Sequence, residues 1–239
     1  MRRTPPSPEL AALAACIDHT LLAPDATDAA IEALCAEAVA HGFKAVCVNP
    51  WHLPRAAARL RGELPLAITV CGFPLGASHS AVKAREAALA VEQGAAEVDM
   101  VLNLGALKSG RADLARDDVA GVVRACAGAP VKVILETCLL DDAQKELACR
   151  LAVEAGAAFV KTSTGFSSAG ATLADVALMR RVVGPNFGVK ASGGIRTLDD
   201  CASMLRAGAD RIGTSSGAAI LAQAAQLAAT QGERPWQTV

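Results

Sequence analysis

Tyrosine is absent from this sequence, and five phenylalanines and two tryptophans make up all its aromatic residues. A platform for stacking nucleic-acid bases has little to be built from. Charge of one sign is lacking too. There are 23 Lys and Arg against 24 Asp and Glu, a formal net charge of −1. That balance gives no electrostatic case for a polyanionic partner. No stretch approaches ~18 uninterrupted apolar residues, so no membrane span is expected. Met1 to Leu10 carries two Arg and three Pro without an apolar segment, which is not the pattern of a secretory signal. None of the eight cysteines forms a C-x-x-C pair, which excludes zinc-ribbon and thioredoxin-type patterns. Most sit in apolar surroundings such as Ala45-Val46-Cys47-Val48, as free thiols of a reducing compartment do. The four histidines, His19, His41, His52 and His79, show no metal-ligand spacing and read as surface or packing residues. A cytoplasmic protein with no metal, cofactor, nucleic acid or membrane partner is expected.

What the sequence does have is an internal rhythm. Four segments share a helical tail, a glycine and an apolar run: His41–Val48, Gln93–Met100, Ala155–Thr162 and Ala207–Thr214. Glycine suits the position just past a helix, where the chain turns through a left-handed residue. The run that follows suits a buried parallel strand. Three more strand candidates, Leu66–Gly72, Val131–Thr137 and Gly188–Ser192, each follow a Gly/Pro break, and a further one lies at Cys16–Leu21. Ala-rich amphipathic stretches such as Ser80–Gln93 and Ala143–Glu154 separate them. Eight alternating units in 239 residues predict a single-domain (β/α)₈ barrel, with its core at about 12–225 and a polar tail at 232–239. Such barrels carry their chemistry at the C-terminal ends of the strands.

Two lysines stand where strands should be buried: Lys161 in Phe159-Val160-Lys161-Thr162-Ser163-Thr164-Gly165, and Lys190 in Gly188-Val189-Lys190-Ala191-Ser192-Gly193-Gly194. A barrel interior rarely accepts an unpaired ammonium. If both point inward, desolvation and mutual repulsion lower one pKa toward neutrality, and a neutral amine can attack a carbonyl. The alternative is that each caps a strand or snorkels outward. Lys132 and Lys44 stand at strand beginnings, on the structural face of a barrel, and read as structural. Asp99, among Val98 and Met100, is costly to bury without a partner. It is either a proton shuttle beside the lysines or a salt-bridge partner of one of them. Asp18 and Thr20 end the first strand; Asp18 either anchors a lysine, binds substrate hydroxyls or caps a helix. Cys47 either points into the site or is a buried structural thiol. Two Gly/Ser loops, Ser192–Arg196 and Gly213–Gly217, follow the seventh and eighth strands, where barrels commonly bind phosphate. Each loop alone also fits an ordinary turn.

Taken together, Ile17–Leu22, Val46–Pro50, Glu97–Val101, Val160–Gly165, Val189–Thr197 and Gly213–Ser216 resemble the deoxyribose-phosphate aldolases over almost the whole chain, Ile17 to about Leu221. The resemblance implies a metal-free aldolase that cleaves 2-deoxy-D-ribose 5-phosphate to D-glyceraldehyde 3-phosphate and acetaldehyde. It implies Lys161 as the Schiff-base lysine, and Lys190 with Asp99 in proton transfer. It places Asp18, Thr20 and Cys47 along the substrate, and Gly165, Gly193, Gly194, Gly213, Ser215 and Ser216 around the phosphate. A homodimer is the family-level expectation. Two departures stand out. Phe166 occupies a position where some members carry a phosphate-side lysine, and no C-terminal tyrosine is available to assist proton transfer.

Overall fold

The repeated glycines do what the pattern asks of them. Gly42, Gly94, Gly156 and Gly208 all adopt positive φ, between 69° and 110°, and each turns a helix end into the next strand. The structure is a computed structural model that describes residues 7–231. Its strands are β1 (Ile17–Leu21), β2 (Ala45–Val48), β3 (Leu66–Cys71), β4 (Glu97–Val101), β5 (Val131–Ile134), β6 (Phe159–Lys161), β7 (Gly188–Ser192) and β8 (Arg211–Thr214). The helices are α1 (Pro8–Ala14), α2 (Asp28–His41), α3 (Leu53–Arg59), α4 (Ser80–Glu92), α5 (Leu104–Lys108), α6 (Ala112–Ala125), α7 (Asp142–Glu154), α8 (Leu173–Val183), α9 (Leu198–Arg206) and α10 (Gly217–Gln231). Every strand pairs in parallel with its sequence neighbours, and β1 closes on β8. The expected (β/α)₈ barrel is therefore the observed one. The polar tail at 232–239 lies outside the described residues.

Alternation along the strands sorts two interiors. Val46, Val48, Val98, Met100, Val131, Val133, Val160, Val189 and Ile212 join the helices' apolar faces in the main core. The intervening positions face into the barrel, and these differ around its circumference. On β2 and β3 they are apolar: Ala45, Cys47, Ile68 and Val70 form one cluster. On the remaining strands they include Asp18, Glu97, Asp99, Lys132, Lys161, Lys190 and Arg211, all buried. Gly188 gives the Phe159 ring its place, since a Cβ there would meet a ring carbon at 2.1 Å.

The strands match the sequence reading to within a residue or two, with β5 the main exception. It stops at Ile134, three residues short of the expected Thr137, because Glu136 takes left-handed dihedrals (φ 52°, ψ 61°) and starts a 3₁₀ turn. The other correction concerns Lys132. It is not a bystander at a strand beginning: it is fully buried, with its Cα in register with Asp99. Strand tilt brings the start of β5 level with the middle of β4, so the structural end of the barrel reaches the site. Lys44, just before β2, is exposed and lies outside the site. Of the histidines, His19 is buried, bonded to Glu37 at 2.6 Å and packed on Phe43, a packing role.

Candidate active site

Lys161 and Lys190 are Cα partners on β6 and β7, and both point inward. Their Nζ atoms share one carboxylate oxygen: Asp99 Oδ2 lies 2.9 Å from Lys161 and 2.7 Å from Lys190. The other oxygen, Oδ1, takes Lys132 at 2.8 Å. Lys132 also reaches Glu97 at 2.5 Å, and Lys190 reaches Asp18 Oδ2 at 2.5 Å. Arg211 closes the circuit, donating to both Asp18 and Glu97. Four cations thus face three carboxylates inside the barrel. One proton removed would balance them.

The lysines respond oppositely to this field. Burial, with the Lys190 charge beside it, pulls the Lys161 pKa below its ordinary value of 10.5 despite Asp99. Burial acts on Lys190 in the same sense, but Asp18 and Asp99 together outweigh it and raise its pKa. Lys161 is therefore the amine that the site makes easier to deprotonate, and Lys190 the one it makes harder. Burial opposes ionisation of Asp99, yet Lys132, Lys161 and Lys190 hold its carboxyl well below the ordinary 3.8. Asp18 is also lowered against the effect of burial, by Lys190 and Arg211.

A stability prediction follows from those two carboxyls. Their folded pKa values lie below the unfolded ones, so the stabilisation is complete above about pH 4 and is lost as pH falls through the folded values. The melting temperature should hold nearly level from about pH 7 to 5 and fall steeply below about pH 4. A scanning-fluorimetry series that stays flat to about pH 3 would show that the network is not ionised in the fold.

Lys161 alone of the network opens onto a cavity, of about 430 Å³, at the C-terminal end of the strands. Thr20, Leu21 and Leu22 line one side of it; Thr164, Gly165 and Phe166 another; Ser192–Arg196 and Gly213–Ser215 the third. Five of the expected phosphate residues, Gly165, Gly193, Gly194, Gly213 and Ser215, are on this wall. Ser216 is not, and its N–H donates to the Thr214 hydroxyl at 2.9 Å, just before α10 begins. Gly213 has a second task. A Cβ there would sit 2.2 Å from Ser192 Oγ and 3.1 Å from Lys190 Cε, so glycine gives Lys190 its room. Of the three expected substrate residues, Thr20 lines the cavity, Asp18 is locked between Lys190 and Arg211, and Cys47 stands in the apolar wall. Burial raises the Cys47 pKa, so its thiol stays protonated. Phe166, half-exposed at the rim, packs edge-on against Phe73 at 5.3 Å.

The sequence reading passes over Glu97 and Arg211 and takes Lys132 as structural; all three sit one layer below the lysines. Each stands at or near a strand beginning, and only their shared alternation with Asp99, Lys161 and Lys190 signals that they face inward. Arg196, the last residue of the loop after β7, also lines the cavity.

The arrangement couples an amine whose pKa is lowered, a second whose pKa is raised and a buried carboxylate, below a cavity walled by glycine-rich loops. The sequence profile of the DeoC/LacD family aldolases matches residues 12–223. The deoxyribose-phosphate aldolase of Rhodospirillum rubrum is 61% identical over 221 residues, covering 92% of this chain and 93% of that protein. The one from Brevibacillus brevis is 57% identical over 205 residues, covering 86% and 93%. The deoxyribose phosphate aldolase structure from Aeropyrum pernix, described as uniquely tetrameric, is 38% identical, with a TM-score of 0.84 over 90% of this chain and 92% of that one.

Proposed function

The chain belongs to the DeoC/LacD family of aldolases, and from that premise we propose how its residues carry out the reversible cleavage of 2-deoxy-D-ribose 5-phosphate to D-glyceraldehyde 3-phosphate and acetaldehyde. The observation that carries the reading is the single Asp99 oxygen held by two lysines with opposite pKa shifts, of which only Lys161 opens onto the cavity. Neutral Lys161 attacks C1 of the open-chain sugar, and the carbinolamine that forms loses its oxygen as water, protonated by Lys190. The iminium then draws electrons from the C2–C3 bond as the C3 hydroxyl gives up its proton to the Lys190–Asp99 pair. Glyceraldehyde 3-phosphate leaves. The enamine left on Lys161 takes a proton at C2 and is hydrolysed to acetaldehyde. Asp99 keeps Lys190 charged for the acid step and orients both amines. With Phe166 in place of a lysine, the phosphate is held by the Gly165, Gly193–Gly194 and Ser215 backbone and by the N-terminal end of α10. Asp18 positions Lys190, Thr20 borders the sugar, and Cys47 packs behind the lysines.

The test is reduction with borohydride in the presence of acetaldehyde, followed by peptide mass mapping. An N-ethyl group on Lys161 is expected. An adduct on Lys190 would reverse the two lysine roles. No adduct, in protein that still binds the sugar phosphate, would leave a binding barrel without this chemistry. For assembly and compartment, a homodimer and the cytoplasm are proposed. Eight free thiols, six of them buried, support a reducing compartment, and light scattering would read the assembly directly.

A further inference from the structure

Glu136 is a buried carboxyl group that the reaction, as described, does not use. It lies 3% exposed just past the end of β5, in a left-handed conformation that costs a non-glycine residue of order 1–3 kcal/mol. Its neighbours fix it on both sides. The Leu135 N–H donates to the Lys161 carbonyl at 2.8 Å and the Thr137 N–H to the Thr162 carbonyl at 3.0 Å. The reversed backbone aims the side chain at the loop after β6. There its two oxygens accept two bonds from one residue, the Thr164 N–H at 3.2 Å and the Thr164 hydroxyl. That hydroxyl in turn accepts the Phe166 N–H at 3.0 Å. A chain of bonds thus runs from Glu136 through Thr164 to Phe166 and encloses Gly165, on the wall of the cavity.

We propose that Glu136 is a positioning residue for the phosphate end of the site: it sets the curvature of Thr164-Gly165-Phe166 and so the direction in which the Gly165 backbone meets the phosphate. This rests on the reading of that wall as the phosphate side. The chemistry explains why a carboxylate is used. Two donors from one residue need two acceptors, and a charged acceptor makes both bonds stronger than a neutral one would. In Glu136→Gln one oxygen becomes an amide that donates, so one Thr164 donor faces a donor in a buried place. The hydroxyl then turns, Phe166 loses its acceptor, and the loop relaxes. Without a lysine at Phe166 to reach the phosphate as a flexible point charge, the backbone curvature decides the binding.

The experiment compares two readouts in Glu136→Gln. KM for 2-deoxy-D-ribose 5-phosphate reports the phosphate end, and the rate of borohydride trapping of acetaldehyde on Lys161 reports the amine without any phosphate. KM is expected to rise at least tenfold more than the trapping rate falls. Equal changes in the two would mean that Glu136 only supports the fold, and no change in either would mean that it does not shape the site; both overturn the proposal. Thr164→Val, which deletes the hydroxyl in the middle of the chain at nearly constant volume, should give the same split if the glutamine variant does not fold, and Thr164→Ser should restore the wild-type KM. Failure of the wild-type protein itself to trap acetaldehyde would strike the Lys161 assignment instead.

Discussion

Lys161→Leu is expected to lose turnover by roughly four orders of magnitude or more, as removal of a covalent nucleophile does elsewhere, while the protein melts at or above the wild-type temperature. The two halves of that expectation come from the same count. Four cations face three carboxylates, and Lys161 is the one whose pKa the barrel depresses. A neutral amine contributes no charge to the network, so leucine removes the chemistry and leaves three charges of each sign. Asp99 keeps Lys132 on one oxygen and Lys190 on the other. Buried polar groups replaced by apolar ones of similar volume are often neutral or stabilising. Lys161→Arg makes the opposite change. Its guanidinium cannot give up its proton, so it fixes the surplus charge in place and should lower the melting temperature as well as abolish turnover. Near-normal activity in either variant would sink the assignment of Lys161. A leucine variant much less stable than wild type would show that Lys161 is charged in the resting protein.

The second large effect is expected one layer down. Lys132 does not line the cavity, yet it holds the Asp99 oxygen that Lys161 and Lys190 leave free, and Glu97 with it. Lys132→Met leaves two carboxylates short of a cation in a buried place, a loss of about 3–5 kcal/mol. For a chain of this size each kcal/mol shifts the melting temperature by about 2–4 °C, so a drop of about 6–20 °C is expected. The kinetic consequence is distinct. With Lys132 gone, three carboxylates face Lys161, Lys190 and Arg211, and the network is neutral only when Lys161 keeps its proton. The Lys161 pKa must rise, and the acid limb of the kcat/KM profile must move to higher pH. Lys132→Met/Glu97→Met restores the balance and should recover more than half of the lost stability, which a double-mutant cycle measures. A pH profile that stays in place in Lys132→Met would show that the amine is tuned by burial alone.

Both variants bear on what the chain disclosed before it was folded. The barrel was legible because its evidence is local and repeated. Gly42, Gly94, Gly156 and Gly208 each need a conformation that glycine supplies cheaply, and each precedes an apolar run of strand length. Lys161, Lys190 and Asp99 were legible for a related reason: a charged residue inside such a run contradicts its neighbours, and the contradiction needs no structure to be seen. Lys132, Glu97 and Arg211 break the apolar pattern too, but they do so at the beginnings of their strands, where a polar residue ordinarily meets solvent. Only the tilt of the closed barrel puts those beginnings level with the middles of neighbouring strands. Glu136 was hidden differently. Apart from Lys132, the segment from Val131 to Leu135 is apolar, and nothing in it announces the left-handed residue that ends β5 three positions early.

The sequence by itself determined the order of the elements, the closed parallel barrel, the candidate amine and its two partners, because periodicity and misplaced charge are properties of short segments. The tertiary structure alone decided which lysine has its pKa lowered and which raised. Lys161 and Lys190 look alike in sequence, each a strand lysine followed by small polar residues. Asp18, 172 positions from Lys190 in the chain but 2.5 Å away in space, keeps Lys190 charged, while Lys161 meets one carboxylate and a like charge. A pKa is set by the field at a point, and that field is summed over groups that only the closure of the barrel brings together.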